Sequence, residues 1–377
     1  MRNQLFAGGI QDTADASDAA GANDVAEAND ATRTVGRLRE TFATGRTRSL
    51  VWRRRQLNAL HALLTEQTPA LTEALRRDLG KSPVETLTSE VRLVTNEIDH
   101  TLRHLHRWLR PQRVPVPAAL LPARARTVRE PLGVVLIISP WNYPVQLSLA
   151  PLVGALAAGN CAVLKPSELA PATSAELARL LPRYLDQDAV TVVEGRARSP
   201  DYSRIINDRH FERLTALLGH GRVVTGGGHD RAARYIAPTV LADVEPDAPV
   251  MAEEIFGPLL PILRMPDLDT ALTFINAHDK PLALYAFTTD RRTRRRLLTE
   301  TSSGAVGFGL PNAHLTVPGL PFGGVGESGL GRYHGRHSVE TFSNAKAVLD
   351  KPLFPDTVRA VYPPFTTAKE RLIRRFM

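Results

Sequence analysis

The sequence holds a single cysteine, Cys161, in 377 residues. One thiol excludes an intramolecular disulfide framework and a cysteine-rich zinc site, and nothing in the composition asks for an oxidising compartment. No apolar stretch approaches the roughly 20 residues needed to cross a bilayer, and Leu5 to Ile10 is too short and too broken by glycine for a signal-peptide core. The expectation is a cytoplasmic chain with no membrane partner and no metal. Between Asn3 and Thr32 there is no Lys or Arg at all, only six acidic residues. The basic surplus that gives the net charge of +8 is mixed through the rest of the chain, which is weak evidence for nucleic acid, and no such partner is expected.

What the chain has is enough apolar material for two or three domains: 43% of its residues are hydrophobic and 23% charged, ordinary for a globular protein. Residues 8–32 are built from Ala, Asp, Gly, Asn and Thr with almost no large apolar group to offset ordering entropy, so residues 1–34 are expected to form a disordered acidic leader. From Val35 onward the apolar spacing predicts helices. Leu57, Leu60 and Leu64, then Leu71, Leu75 and Leu79, recur at helical intervals, with Gly80 placed as a stop. Leu87, Val91, Val94, Ile98, Leu102, Leu105 and Leu109 form one long stripe. Pro111, Pro115, Pro117 and Pro122 then interrupt helix formation, and the stretch to Arg129 reads as an extended excursion or hairpin.

Afterwards the rhythm changes. Gly133 to Ile138, Cys161 to Lys165 and Ala189 to Val193 read as strands, alternating with helices over Pro144 to Ala158 and Ala172 to Leu185. Such alternation predicts an α/β fold with a doubly wound parallel sheet buried on both faces. These sheets bind ligands at the carboxyl ends of their strands, where Asn142, Lys165 and Glu168 stand. A helix near Arg209 to Leu218, a further α/β region with Ala271 to Ile275 helical and Ala283 to Phe287 extended, and a glycine-rich loop over 318–335 follow. There are no internal repeats.

Four separated segments occur in order: Pro140-Trp141-Asn142-Tyr143-Pro144, Leu164-Lys165-Pro166-Ser167-Glu168, Glu253-Glu254-Ile255-Phe256-Gly257-Pro258 and Pro321-Phe322-Gly323-Gly324-Val325-Gly326. Together they resemble the signatures of the aldehyde dehydrogenase superfamily, nearest to the shorter branch that accepts fatty and aromatic aldehydes. The resemblance runs from about Val35 to Tyr362-Pro363-Pro364. It implies a nucleotide-binding domain over 35–110 and 130–195, an oligomerisation hairpin over 111–129, a second α/β (catalytic) domain over 196–337, and a C-terminal oligomerisation segment over 338–377. A homodimer, or pairing with an intact relative, is the implied assembly.

By the same resemblance Asn142 is the amide that stabilises the oxyanion formed on the aldehyde. Trp141, Lys165, Ser167, Glu168, Glu254 and Phe256 are the implied cofactor-binding residues. Glu168 suits ribose hydroxyls and Lys165 suits a 2′-phosphate, which leaves NAD and NADP both open. Phe322 is either a wall of the aldehyde tunnel or a core phenylalanine, and His314 matches a substrate-side histidine. Gly307-Phe308-Gly309 stands where relatives carry an asparagine-bearing turn. Gly324 to Gly329 satisfies G-x-G-x-x-G but lacks the preceding strand that gives this motif its meaning, so it reads as a loop. Arg291, Arg292, Arg294, Arg295 and Arg296 read as a solvated helix face.

The resemblance also implies segments that are not found. Relatives continue from the third strand into a Phe-Thr-Gly-Ser turn, a strand bearing the general base and a Gly-Gln-x-Cys segment bearing the nucleophile. Here Val193-Glu194-Gly195 passes directly to Arg196-Ala197-Arg198-Ser199-Pro200-Asp201-Tyr202, so both domains are expected to be truncated at an internal deletion. Cys161 begins its strand roughly 13 Å from the binding edge, at about 3.3 Å per residue, and is expected to be a buried small hydrophobe. The implied function is NAD(P)-dependent oxidation of an aldehyde to a carboxylic acid, with this chain inactive or nearly so and its hold on the cofactor weakened. The alternatives are a non-catalytic nucleotide-binding or oligomerisation partner, or a gene remnant.

Overall fold

The computed structural model describes residues 32–194 and 205–354, with 356, 359, 362–364, 366–369 and 371 beyond them. The expected leader lies outside the described residues up to 31, but its last part does not: a helix runs over 32–43. The junction 195–204 also lies outside them.

The leucine spacing builds what it predicts. Helix Leu50–Glu66 starts where Ser49 Oγ accepts from the Trp52 N–H, and helix Thr68–Leu79 ends where Gly80 takes φ 67, a left-handed cap that glycine adopts without strain. Leu57, Leu60, Leu64, Leu71 and Leu75 are fully buried between these helices and their neighbours. The long stripe is not one helix. Thr86–Val91 forms π-helical turns, and only Arg92–Trp108 is α-helical. The wider turn leaves Leu87 exposed and sets Glu90, from inside the stripe, into the interior.

An antiparallel sheet of three strands has the order β1 (Gln112–Val114), β2 (Arg124–Pro131), β13 (Ser343–Asp350). The expected hairpin is thus present, and the C-terminal segment joins it with Ala347 opposite Thr127. Next come β3 (Val134–Ile138), β4 (Cys161–Lys165) and β5 (Val190–Val192), a parallel sheet in that order, linked by helices Pro144–Ala158 and Pro171–Tyr184. Helix Pro144–Ala158 is buried nearly all round, stopped by Gly159 at φ 91, and packs Gly154 against helix Arg336–Thr341.

Burial on both faces does not hold for this sheet. β4 is buried along Cys161 to Leu164, but on β3 Leu136 is 61% and Ile138 69% exposed. The helices cover the face to which Ile137 points; among the described residues the other face meets part of helix 32–43, through Val35 and Phe42. A cleft of about 670 Å³ lies over that bare face, lined by Val35, Phe42, Leu136, Val163, Lys165 and Val193.

The second α/β region has its own core of Ile205, Phe211, Leu214, Ile236, Leu241 and Leu259. Helix Asp208–Leu217 packs beside β6 (Arg222–Thr225), β9 (Thr239–Ala242) and β10 (Leu259–Pro261), while β7 (His229–Asp230) and β8 (Tyr235–Ile236) form a small hairpin. β11 (Ala283–Ala286) and β12 (Ala305–Phe308) pair in parallel, and helices Leu268–Ala277 and Arg291–Glu300, which precede them in turn, contact each other. Among the described residues no helix is long and apolar enough to cross a membrane.

Candidate functional site

Two regions gather the residues picked out in the sequence. The first is a cavity of about 590 Å³ where the turn after β3 faces the second α/β region. Asn142 and Tyr143 enter it from the turn, Glu254 and Tyr285 from the opposite side, and Phe322 and His334 from the glycine-rich loop. Asn142, Glu254 and Phe322, picked out in separate segments of the sequence, line one cavity. Phe322 stands edge-on to Tyr333, with centroids 5.3 Å apart at 86°, so it is a wall of this cavity rather than core filling. His314 packs behind that wall, 5.8 Å from the Phe322 ring and 6.0 Å from Tyr285. Both its ring nitrogens are buried without a partner, and burial holds its pKa below the usual histidine range. Trp141 and Phe256 pack edge-on at 5.6 Å beside the cavity.

The second region is the carboxyl end of β4, at the bare sheet face. Lys165 Nζ and Glu168 form an ion pair there, which holds the Glu168 carboxyl below its ordinary pKa through the lysine's hydrogen bond. Ser167 Oγ accepts from the Leu169 N–H at 3.2 Å and shapes the turn. Lys165 and Glu168 are therefore paired with one another. A ribose diol would have to share the carboxylate with the lysine.

What sequence reasoning missed is a set of buried carboxylates beneath both regions. Glu90 Oε2 accepts the N–H groups of Val145 at 3.1 Å and Gln146 at 2.8 Å, and its other oxygen receives Lys81 Nζ at 2.6 Å. Burial pushes the Glu90 pKa up against those partners. Lys81 also donates to the Asn142 carbonyl at 2.9 Å and lies 3.9 Å from the centre of the Tyr143 ring. Asp78 accepts from the Ala172 and Thr173 N–H groups at 3.0 and 2.7 Å. Glu97 Oε1 accepts from the Gly335 N–H at 2.6 Å, and its Oε2 lies 3.3 Å from His334 Nδ1. A signal was available: Glu90 and Glu97 interrupt an otherwise apolar stripe two helical turns apart, on the face that had to be buried.

These contacts bear on anion binding. The helices that follow β3 and β4 start at the sheet edge where a pyrophosphate would seek free N–H groups. Both starts are already occupied by carboxylates, Glu90 and Asp78. Among the described residues at this edge, the Glu168 and Glu254 carboxylates can accept from hydroxyls and Lys165 can donate.

Cys161 is fully buried at the start of β4, opposite Val134, while the turn bearing Asn142 follows Ile138 at the other end of the paired strand. Burial pushes its thiol pKa up to about 11. The G-x-G-x-x-G stretch is a loop folded on itself: a Cβ on Gly324 would lie 1.9 Å from the Ser328 carbonyl oxygen. On helix Arg291–Glu300, Arg296 pairs with Asp269 at 2.6 Å and Glu300 at 2.8 Å, and Arg294 covers the Phe308 ring. Among the described residues no group of three metal-ligating side chains converges.

The aldehyde dehydrogenase family profile matches residues 14–215 and 201–348. Aldehyde dehydrogenase family 3 member B1 of Rattus norvegicus is 37% identical over 444 aligned positions, covering 89% of this chain and 95% of that protein. The Homo sapiens protein of the same name is 37% identical, covering 90% and 96%. Among solved structures, the substrate-bound state of Staphylococcus aureus AldH superposes with a TM-score of 0.85 at 30% identity over 92% of this chain and 99% of that one. A betaine aldehyde dehydrogenase from Staphylococcus aureus in complex with NAD+ shares the fold, with a TM-score of 0.76 at 17% identity over 87% of this chain and 89% of that one.

Proposed function

Because the chain belongs to the aldehyde dehydrogenase family, we propose that it descends from an enzyme oxidising fatty or aromatic aldehydes with NAD(P), and that it keeps the ligand-holding parts of that site while catalysing at most a trace of the reaction. One observation carries this reading: the only cysteine in the sequence is buried at the wrong end of β4, with its thiol pKa raised to about 11. Covalent aldehyde oxidation needs a thiolate that adds to the carbonyl and a carboxylate that activates water to release the acid. The thiolate has no candidate beside Asn142 among the described residues, and Glu254, the carboxylate that lines the cavity with it, is the one the family resemblance assigns to the nicotinamide ribose.

Two findings support an internal loss. The alignment to the rat relative runs over 444 positions, more than the 377 residues that this chain has. The family profile matches in two segments that meet at 201–215, just past the point where the nucleophile-bearing segment is expected. The bare face of β3 supports it too, since Leu136 and Ile138 are the kind of residues that a neighbouring element covers.

In this reading Asn142 orients a carbonyl, and Glu254 with the Trp141–Phe256 edge holds the nicotinamide end of the cofactor. Lys165, Ser167 and Glu168 hold the adenosine end. Bound NAD(P) would supply the hydride acceptor. Its affinity is weakened by loss of the segment whose helix end would receive the pyrophosphate, and among the described residues the helix starts after β3 and β4 already hold Glu90 and Asp78. The test is a purified sample assayed with an aromatic aldehyde and either nucleotide. A turnover of about 1 per second or more, ordinary for an enzyme, would overturn the proposal.

A second reading, a pairing partner for an intact relative, is favoured by β13, an eight-residue edge strand that is mostly exposed. Co-purification with a full-length family member would support it, and a strictly monomeric product would count against it. A gene remnant would give no folded product, and resequencing across Glu194 to Arg196 would expose an assembly error.

A further inference from the structure

The cleft over the bare face of β3 lies apart from the cavity at Asn142, and its walls have a chemistry of their own. Its volume of about 670 Å³ falls within the range of about 300–1,000 Å³ usual for small-molecule sites, which are mostly apolar with a few polar groups. Val134 and Leu136 from β3, Val163 from β4 and Val193 beyond β5 supply aliphatic surface. Among the described residues Phe42 is the only ring that lines it. The lining runs from Leu132 to Leu136 along the start of β3, at most about 13 Å at about 3.3 Å per residue, which makes a trough rather than a slot for a ring.

The polar group is Arg39. Val35, Arg39 and Phe42 stand four and then three residues apart on helix 32–43, so they share one face of it, and all three line the cleft. An arginine thus interrupts an apolar stripe at the position turned toward an apolar sheet. Its neighbour Arg37 is spent on Asp188 and Thr191, and Lys165 on Glu168. Among the described residues no hydrogen bond or ion pair occupies the Arg39 side chain. Its stem can lie on the apolar wall while the guanidinium stays in water, ready for an anion.

We propose that this cleft binds a long-chain carboxylate, with the alkyl chain along Val134, Leu136 and Val163 and the carboxylate on Arg39. The charge fixes the sign of the head and the aliphatic trough fixes the tail. Each methylene fully buried tightens binding about fourfold, so affinity grows with chain length until the trough is full. The inference needs nothing from the aldehyde reading of the other cavity, and neither the cofactor nor turnover enters it.

The test is calorimetric titration of the full chain with dodecanoate, kept below the concentration at which it aggregates, and with octanoate and dodecanol. Dodecanoate should saturate one site per chain, and octanoate should bind at least about tenfold more weakly, because fewer methylenes are buried. Arg39→Gln should weaken dodecanoate about fivefold and leave dodecanol, which has no charge, unchanged. Leu136→Glu should weaken dodecanoate at least about tenfold, since it sets a carboxylate against the alkyl chain. Four results would each overturn the proposal: no binding, as when a second copy sits on the face; uptake that does not saturate at one site; Arg39→Gln acting on both ligands alike or on neither; or full affinity in Leu136→Glu, which would put the chain in the cavity at Asn142. Arg39 and Leu136 are both exposed, so both variants should fold. Should either fail, the methyl resonances of Leu136 and Val163 in the unaltered protein decide: dodecanoate should move them, and unmoved methyls refute the proposal.

Discussion

Lys81 Nζ lies 2.6 Å from Glu90 Oε1 in the interior, and Glu90 Oε2 closes the start of the helix that follows Asn142. The pair ties three separate pieces of chain together: the end of the leucine-rich helices, the π-helical turn and the Asn142 loop. Two charges taken out of water in this way tolerate removal together far better than removal of one alone.

Lys81→Met should therefore destabilise the protein by about 3–5 kcal/mol, because it strands the Glu90 carboxylate. Lys81→Met combined with Glu90→Gln should recover a good part of that loss. Urea unfolding of the two variants checks this, and a single variant within about 0.5 kcal/mol of the unaltered protein would contradict the buried geometry.

Gly154 is the close-approach point between helix Pro144–Ala158 and helix Arg336–Thr341. A Cβ there would lie 2.7 Å from Ser338 Cβ and 2.9 Å from the Phe342 ring. Neither neighbour is the free end of a flexible chain, so Gly154→Ala should cost about 1–3 kcal/mol despite alanine's better helix propensity. Thermal unfolding measures it.

How much of this was legible beforehand divides along physical lines. Strand and helix positions followed from apolar periodicity, because Leu57, Leu60, Leu64, Leu71 and Leu75 and the strand Cys161 to Leu164 are buried by regular elements. Asn142, Glu254 and Phe322 were legible as a group only through their motifs, since distant residues share no local signal. The buried carboxylates were not foreseen: spacing alone gives Glu90 and Glu97 as interruptions of a stripe and says nothing of the backbone N–H groups they satisfy. Double-sided burial of the sheet was expected from the residue types on β3, and it fails at Leu136 and Ile138 because composition records what a strand is suited to, not which neighbours cover it.

That bare face makes a prediction of its own. Leu136 and Ile138 meet water on β3, an outer strand of its sheet, and flat apolar edges of this kind invite association. Leu136→Lys with Ile138→Lys should leave stability within about 0.5 kcal/mol, as expected for exposed positions, while lowering binding of a hydrophobic fluorescent dye and aggregation on concentration. A large loss of stability would show that another element packs there.

The last prediction concerns Cys161. Its folded-state pKa, about 11 against a usual 9.0, is raised by burial first and by Asp186 second. A thiol whose pKa is raised on folding adds stability that is complete below pH 9 and is lost as the pH rises through 11, because the unfolded chain releases its proton earlier. Stability should therefore fall between about pH 9 and 11 more steeply in the unaltered protein than in Cys161→Ala, as read by urea unfolding at fixed pH steps. At pH 8 the native thiol should resist iodoacetamide and react once urea unfolds the chain, since only an accessible thiolate is nucleophilic. Rapid labelling of the folded protein would mean an open, ionised sulfur, and the conclusion that this chain cannot turn over an aldehyde would fall with it.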